Sequence, residues 1–464
     1  MFRRLWSALP ADPEFPIDLE KLGYFINEDD EVRSIENPNN YFKFFLTRNS
    51  RWNDRQRFAM NQSIKDEVHR RLEKLGMKKE LLPLGTTDPS QPHIPIFVSG
   101  DLARKKRVVV IFGETMQDLG ILAHRVAGGA GGVNKGSLVS VVAALQKQRT
   151  SSTDPTSPGI ILANMGELVW WPEGGRALST MAFDAVPGKT AVHNGNLITK
   201  KNLVAGNEDP KKHIHYVFSE VIPGLVSEDA GVDVVGVGDG ADYVEQYLGL
   251  PVVWDVWKHR VNCLALVGGL HPVWELCNEE FAGEFLRNKA RAYATSLEPA
   301  GFPLSGPNGN PKTSTFTSMG CPVISSGSTH FTELALVAGA DVVLDWLQEV
   351  AMTPAGEDYK NPEFDIVYAD PLINADPDWS NWQGDAAEGG VKEEKEGGGD
   401  EEYEIKNEPV ETDGKDSEKP RLVLVTRPAE NQARKDGGEN GEKGGDGVSG
   451  KAKEGDVKSD EDKK

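Results

Sequence analysis

Apolar residues follow two rhythms along this chain. Unbroken apolar runs occur in "HIPIFVSG" (93–100), "RVVVIFG" (107–113), "GIILANMG" (159–166), "VDVVGVG" (232–238), "VNCLALVGG" (261–269) and "CPVISSG" (321–327). Such runs suit strands buried on both faces, as in a parallel sheet. Between them the spacing lengthens toward four. Phe58, Met60, Ile64, Val68, Leu72 and Leu75 share one face and predict a helix over 53–75, capped by Asn53 or Asp54 and ended by Gly76. Further helices are predicted over 117–127, 136–147, 211–222, 241–248, 279–296 and 329–338. Residues 22–26 and 42–46 read as two leading strands joined by a polar turn.

Strand–helix alternation of this kind predicts an α/β fold: an α/β-hydrolase-like, doubly wound, mostly parallel sheet with antiparallel leading strands. The expected organisation is N-terminal strands and a helix over 1–95, the hydrolase-like core over 96–350, an extension over 351–384 and a tail over 385–464. Composition marks that last boundary. Residues 385–464 carry 24 acidic and 15 basic side chains, many glycines and neither Phe nor Trp. Too little apolar surface is on offer there to offset chain entropy, so the acidic tail is expected to be disordered. Within it, residues 421–427 ("RLVLVTR") could add a strand to a sheet edge, and Lys392 and Lys406 lie in apolar-Lys-x-Glu patterns suited to SUMO attachment.

Charge narrows the partners. The 464 residues include 72 acidic and 51 basic ones, a net charge of −21. The −9 of the tail leaves −12 for residues 1–384, so the folded part is acidic too. That balance argues against direct nucleic-acid binding, which needs a concentrated Lys/Arg surface, and favours a protein partner. Cys263, Cys277 and Cys321 are far apart and suggest neither disulfides nor a zinc site. No apolar run approaches the roughly 18 residues of a membrane span, and the start "MFRRLW" is too short in apolar residues for a secretory signal. A nuclear or cytoplasmic protein is expected, not a secreted or membrane-bound one.

The stretch "VDVVGVGDGADYVEQYLG" (232–249) poses the chemical question: a buried strand, a glycine corner and a helix. Gly236, Gly238 and Ala241 spell G-x-G-x-x-A, but several strands precede the corner and the next strand ends without the ribose-binding acid, so dinucleotide binding is set aside. The corner matches the nucleophile elbow of hydrolases better. With Gly236 and Gly240 as its small residues, Gly238 takes the nucleophile position and has no side chain to attack with. In a register shifted by one, Asp239 takes that position, flanked by Val237 and Ala241. An Asp239 nucleophile needs a base, and the order Asp239, Glu275, His330 matches the nucleophile–acid–base order of the fold. The plainer role for Asp239 is to cap the helix that follows. The loop Gly113, Glu114, Thr115 stands where an oxyanion hole would form, and a carboxylate at Glu114 disfavours a developing oxyanion.

Other features carry less chemistry. The glycine-rich 127–137 lacks the P-loop spacing, and His213 and His215 point to different helix faces, poor geometry for a metal. Trp170 and Trp171 are candidates for a protein-partner surface. No cofactor and no metal site are implied.

Taken together, "PIDLEKLGYFINEDDEVRSI", "RVVVIFGETMQDLGILAHRV", "LANMGELVWW", "DVVGVGDGADYVEQYL" and "SSGSTHFTELAL" resemble the fungal argonaute-binding protein two (Arb-two) domain family over residues 14–350. The resemblance implies an α/β-hydrolase-like fold put to non-catalytic use. In that family a founding member accompanies argonaute in an siRNA chaperone complex for heterochromatin assembly, and a similar domain is appended to certain fungal histone deacetylases. An animal relative keeps a serine at the elbow; this chain has Gly238 there, or Asp239 in the shifted register, so serine-esterase activity does not carry over. The implied function is a scaffold in RNA silencing or chromatin repression, with an argonaute or a histone deacetylase complex as partner. The alternative is an Asp239–His330 hydrolase acting on a small ester.

Overall fold

Long buried runs become the middle of a sheet. In the computed structural model, which describes residues 9–370 apart from 193, 194, 315 and 355, β5 (Arg107–Phe112) is buried at every position. Its side chains serve two cores: Val108, Val110 and Phe112 face one, Val109 and Ile111 the other. A strand with two apolar faces must lie between two layers of helix.

The chain opens with an antiparallel pair, β1 (Tyr24–Ile26) and β2 (Val32–Ser34), followed by α1 (Ser50–Lys74). β3 (Met77–Leu82) and β4 (Ile94–Ser99) lead into β5, and the short helices α2 (His124–Ala127) and α3 (Gly132–Lys135) precede α4 (Leu138–Leu145). After β6 (Gly159–Ala163), β7 (Val169–Trp171) and β8 (Arg176–Leu178) form a separate hairpin that leads into α5 (Thr180–Asp184). Next come α6 (Pro210–Tyr216), α7 (Ile222–Leu225), β9 (Gly231–Val237), α8 (Asp239–Leu248), α9 (Pro251–Trp257) and β10 (Val261–Val267). The last elements are α10 (Leu286–Lys289), β11 (Ala290–Ala294), β12 (Pro303–Ser305), β13 (Val323–Ser325) and α11 (Ala335–Ala351).

Nine strands form one sheet in the order β12-β13-β11-β10-β9-β5-β6-β4-β3. From β3 through β13 the eight-strand core β3-β4-β6-β5-β9-β10-β11-β13 departs from parallel only at β4, which pairs antiparallel with both β3 and β6. That order and that one reversed strand are the α/β-hydrolase arrangement. On one face lie α6, α8, α9 and α10, through Ile214, Val244, Trp254 and Leu286. On the other lie α1, α4 and α11, through Ile64, Val68, Val142 and Trp346.

Several expected elements differ. The second leading strand is not 42–46 but Val32–Ser34; Phe42 is buried against Tyr24 at 5.4 Å while Phe45 is 78% exposed, so that stretch has no neighbour to pair with. Helix α1 starts at Ser50, because Asn49 accepts the Arg51 N–H at 3.0 Å. Asn53, expected as the cap, instead accepts the Leu46 and Thr47 amides. Within 117–127 only His124–Ala127 is helical; Gly120, at φ +85°, turns the chain before it. The helix expected over 279–296 ends at Lys289, and Ala290–Ala294 is a fully buried strand between β10 and β13. Its alanines have helix propensity, but the gap in the sheet decides their conformation. The expected tail (385–464), with its Lys392 and Lys406 motifs and the 421–427 segment, lies outside the described residues.

Candidate functional site

β9 lies between β5 and β10 and ends in the corner that the sequence singles out. Gly238 is the apex, with φ 56° and ψ −129°, a conformation that side chains other than glycine rarely adopt. The flanking glycines are fixed by close approach. A Cβ at Gly236 would lie 2.4 Å from the Ala241 Cα, and one at Gly240 would lie 2.3 Å from the Gly113 carbonyl oxygen. Gly238 therefore stands at the apex of a tight strand-to-helix turn, and its backbone is held there by a bond from its N–H to the Val267 carbonyl at 2.8 Å.

The space beside the apex, where a side chain at 238 would stand, is taken by Glu114. A Cβ added at Gly238 would lie 2.0 Å from Glu114 Oε1 and 2.3 Å from its Cδ. Glu114 belongs to the loop after β5 and reaches across to the apex. Burial pushes its carboxyl up to about 7, with smaller contributions from Asp239 and Glu333. Gln117 reaches Glu333 at 3.5 Å, and Arg125 Nε pairs with Glu333 at 2.5 Å while lying over the Phe331 ring. The recess left beside Gly113, Glu114 and Gln117 is about 20 Å³, room for about one water.

The other candidates do not converge. Asp239 is exposed and is the first residue of α8; its Oδ2 accepts the Thr115 hydroxyl at 2.8 Å. The expected cap is not made: the N-cap is Gly238, without a side-chain bond, although acids at Asp239 and Asp242 suit the positive end of the helix. Asp242 accepts the Leu270 N–H at 3.1 Å. Glu275 is exposed on the turn Val273–Glu275, 4.0 Å from Nδ1 of the buried His271 and not against His330. His330 is exposed, and its ring neighbour is Phe331 at 6.4 Å. Among the described residues His330 makes no hydrogen bond or ion pair, so Asp239, Glu275 and His330 form no relay. Glu333 comes near Glu114 and pairs with Arg125 without any sequence signal, since only the fold brings the turn before α11 beside α2.

Trp170 is not open to a partner: it is 2% exposed, packs on His93 at 4.6 Å, and its carbonyl accepts the Asn202 amide. Trp171 is half-buried beside Arg176. His213 is a core residue whose Nε2 accepts the Asn164 N–H at 3.1 Å while its Nδ1 meets Asn207 at 2.7 Å. Among the described residues no group of three or more His, Cys, Asp or Glu side chains is placed to hold a metal ion, and no helix is long and apolar enough to cross a membrane.

Strand order and elbow together make this an α/β-hydrolase fold. Within that class, the Arb2 domain model matches residues 15–300, and the chain belongs to the Arb2 domain family. It is similar to the cotranscriptional regulator ARB2A homolog of Xenopus tropicalis, 24% identical over 313 residues that cover 62% of this chain and 71% of that protein. Similar solved structures are esterases. Carboxyl esterase 2 of Tuber melanosporum is 9% identical, covering 59% of this chain and 84% of that one, with a TM-score of 0.27. Est2 of Thermogutta terrifontis is 10% identical, covering 61% and 95%, with a TM-score of 0.29.

Proposed function

We propose that this chain is a non-catalytic adaptor whose hydrolase-like core, residues 96–350, presents its loops to a protein partner in co-transcriptional regulation or RNA-dependent silencing. An argonaute or a histone deacetylase complex in the nucleus is the partner of choice. The observation that carries the reading is the Glu114 carboxyl in the space of the missing nucleophile, above an apex of bare glycine. A carboxylate there repels a developing oxyanion as well as blocking the substrate. The regulatory half of the reading is supported by the Arb2 domain and by the name of the frog relative.

Two measurements test it. The purified chain should show no turnover on a panel of small esters and haloalkanes above that of an Asp239→Asn variant; turnover that the substitution abolishes would establish an aspartate-nucleophile hydrolase instead. Affinity capture of the tagged chain from its own cells should enrich an argonaute or a deacetylase subunit. Enrichment of neither, against an untagged control, rejects the silencing role.

A further inference from the structure

A larger cavity lies away from the elbow. It has about 340 Å³ and opens between the N-terminal segment, α1 and the β7–β8 hairpin, within the range of roughly 300–1,000 Å³ typical of small-molecule sites. Its walls are mostly apolar, with Phe15, Phe58, Leu178 and Ala182 among them. Four charged side chains also line it, Glu14, Arg55, Asp118 and Arg176; Arg176, on β8, has its guanidinium 5.4 Å from the centre of the Trp171 ring.

Arg176 lacks the partner a partly buried guanidinium normally has. Among the described residues its guanidinium makes no hydrogen bond and no ion pair, while its backbone pairs with Trp171 in the hairpin. Its acidic neighbours are committed elsewhere. Glu167 accepts from Lys65 and from the Leu119 N–H at 2.9 Å. Asp118 pairs with His124 at 2.8 Å, and Asp66 accepts the Gln62 amide at 2.7 Å. Burial lowers the Arg176 pKa, and those three acids offset the shift only through space. The second arginine of the cavity, Arg55, is already tied to Asp12 at 3.0 Å, and Glu14 is an exposed lining residue. Asp118 and Glu14 line the cavity, yet among the described residues no carboxylate directly receives the Arg176 fork.

We propose that this cavity binds a small organic carboxylate, its carboxylate paired with Arg176 and its apolar body held against Trp171, Phe58 and Leu178. The site is separate from the elbow and does not depend on the adaptor reading.

The test uses the full chain with 3-phenylpropionate and its uncharged isostere 3-phenylpropionamide, followed by calorimetry and ligand-observed NMR. The acid should bind about tenfold or more tightly than the amide, the scale of a hydrogen-bonded ion pair in a partly buried site. Arg176→Gln should remove that preference. Should that variant fail to fold, Ala182→Phe, which fills the cavity without touching a charge, should abolish binding of the acid. Equal affinity for acid and amide, no binding of the acid, a preference kept by folded Arg176→Gln, or binding kept by Ala182→Phe would each overturn the site.

Discussion

At Gly238 two penalties coincide, a positive φ and the Glu114 carboxyl 2.0 Å from any Cβ. Gly238→Ser restores the hydroxyl of a serine hydrolase in name only. It should give no esterase activity and should cost about 1–3 kcal/mol in urea unfolding. Adding Glu114→Ala should recover part of that loss; strict additivity of the two changes would mean that the carboxyl does not fill the nucleophile's space. Glu114 also titrates in a useful range. Its folded pKa of about 7 lies above the ordinary 4.5, so the folded chain holds the proton more tightly. That contribution is complete below about 4.5 and is lost as pH rises through about 7. Glu114→Gln should flatten this part of the stability–pH curve and gain about 1 kcal/mol at pH 8, a figure reduced because the side chain is partly solvated. Thermal melts between pH 5 and 9 read it directly.

Among the elements, the central strands are joined by one buried guanidinium. Arg107 of β5 pairs with Asp233 of β9 at 2.6 Å and donates to the carbonyls of Leu347 in α11 and Arg149 after α4, each at 2.9 Å. Asn262 of β10 donates to the other Asp233 oxygen. Arg107→Met leaves the Asp233 carboxylate buried without its cation and should cost about 3–5 kcal/mol in denaturant unfolding. Helix α8 shows the opposite case. Glu245 is buried with no hydrogen bond to either oxygen among the described residues, and burial, then Asp242, holds its pKa well above the ordinary range. Its folded pKa being raised, stability is greatest below about 4.5 and falls as pH climbs toward the folded value. Glu245→Met, an apolar chain of similar length, should therefore stabilise the protein at pH 8 by about 1–3 kcal/mol and have less effect at pH 4. Calorimetry at the two pH values distinguishes this from a simple packing gain, which would appear at both.

The whole molecule carries a net charge of −21, and Asp239 and Glu333 add negative charge close to Glu114, itself only partly ionised at neutral pH. A field of that sign repels phosphate backbones and favours basic or neutral protein surfaces. Fluorescence anisotropy with a small RNA duplex at about 0.15 M salt should show no saturable binding; a salt-dependent isotherm there would reinstate RNA as a direct ligand.

The sequence by itself determined the strands at 107–112, 159–163, 231–237 and 261–267, because a strand buried on both faces must be apolar at consecutive positions. It also determined that no serine stands at the glycine corner, and it left two registers open, one centred on Gly238 and one on Asp239. Only the tertiary structure decided the rest. Ala290–Ala294 became a strand because the sheet offered a place between β10 and β13. Phe45 stayed exposed because none was offered, and Trp170 was buried by the fold around His93. The φ of Gly238 and the reach of Glu114 across to it depend on how two loops more than a hundred residues apart meet at the carboxyl ends of the adjacent central strands β5 and β9. Local patterning encodes which backbone groups pair and which side chains avoid water; it does not encode which distant side chain will occupy an empty space.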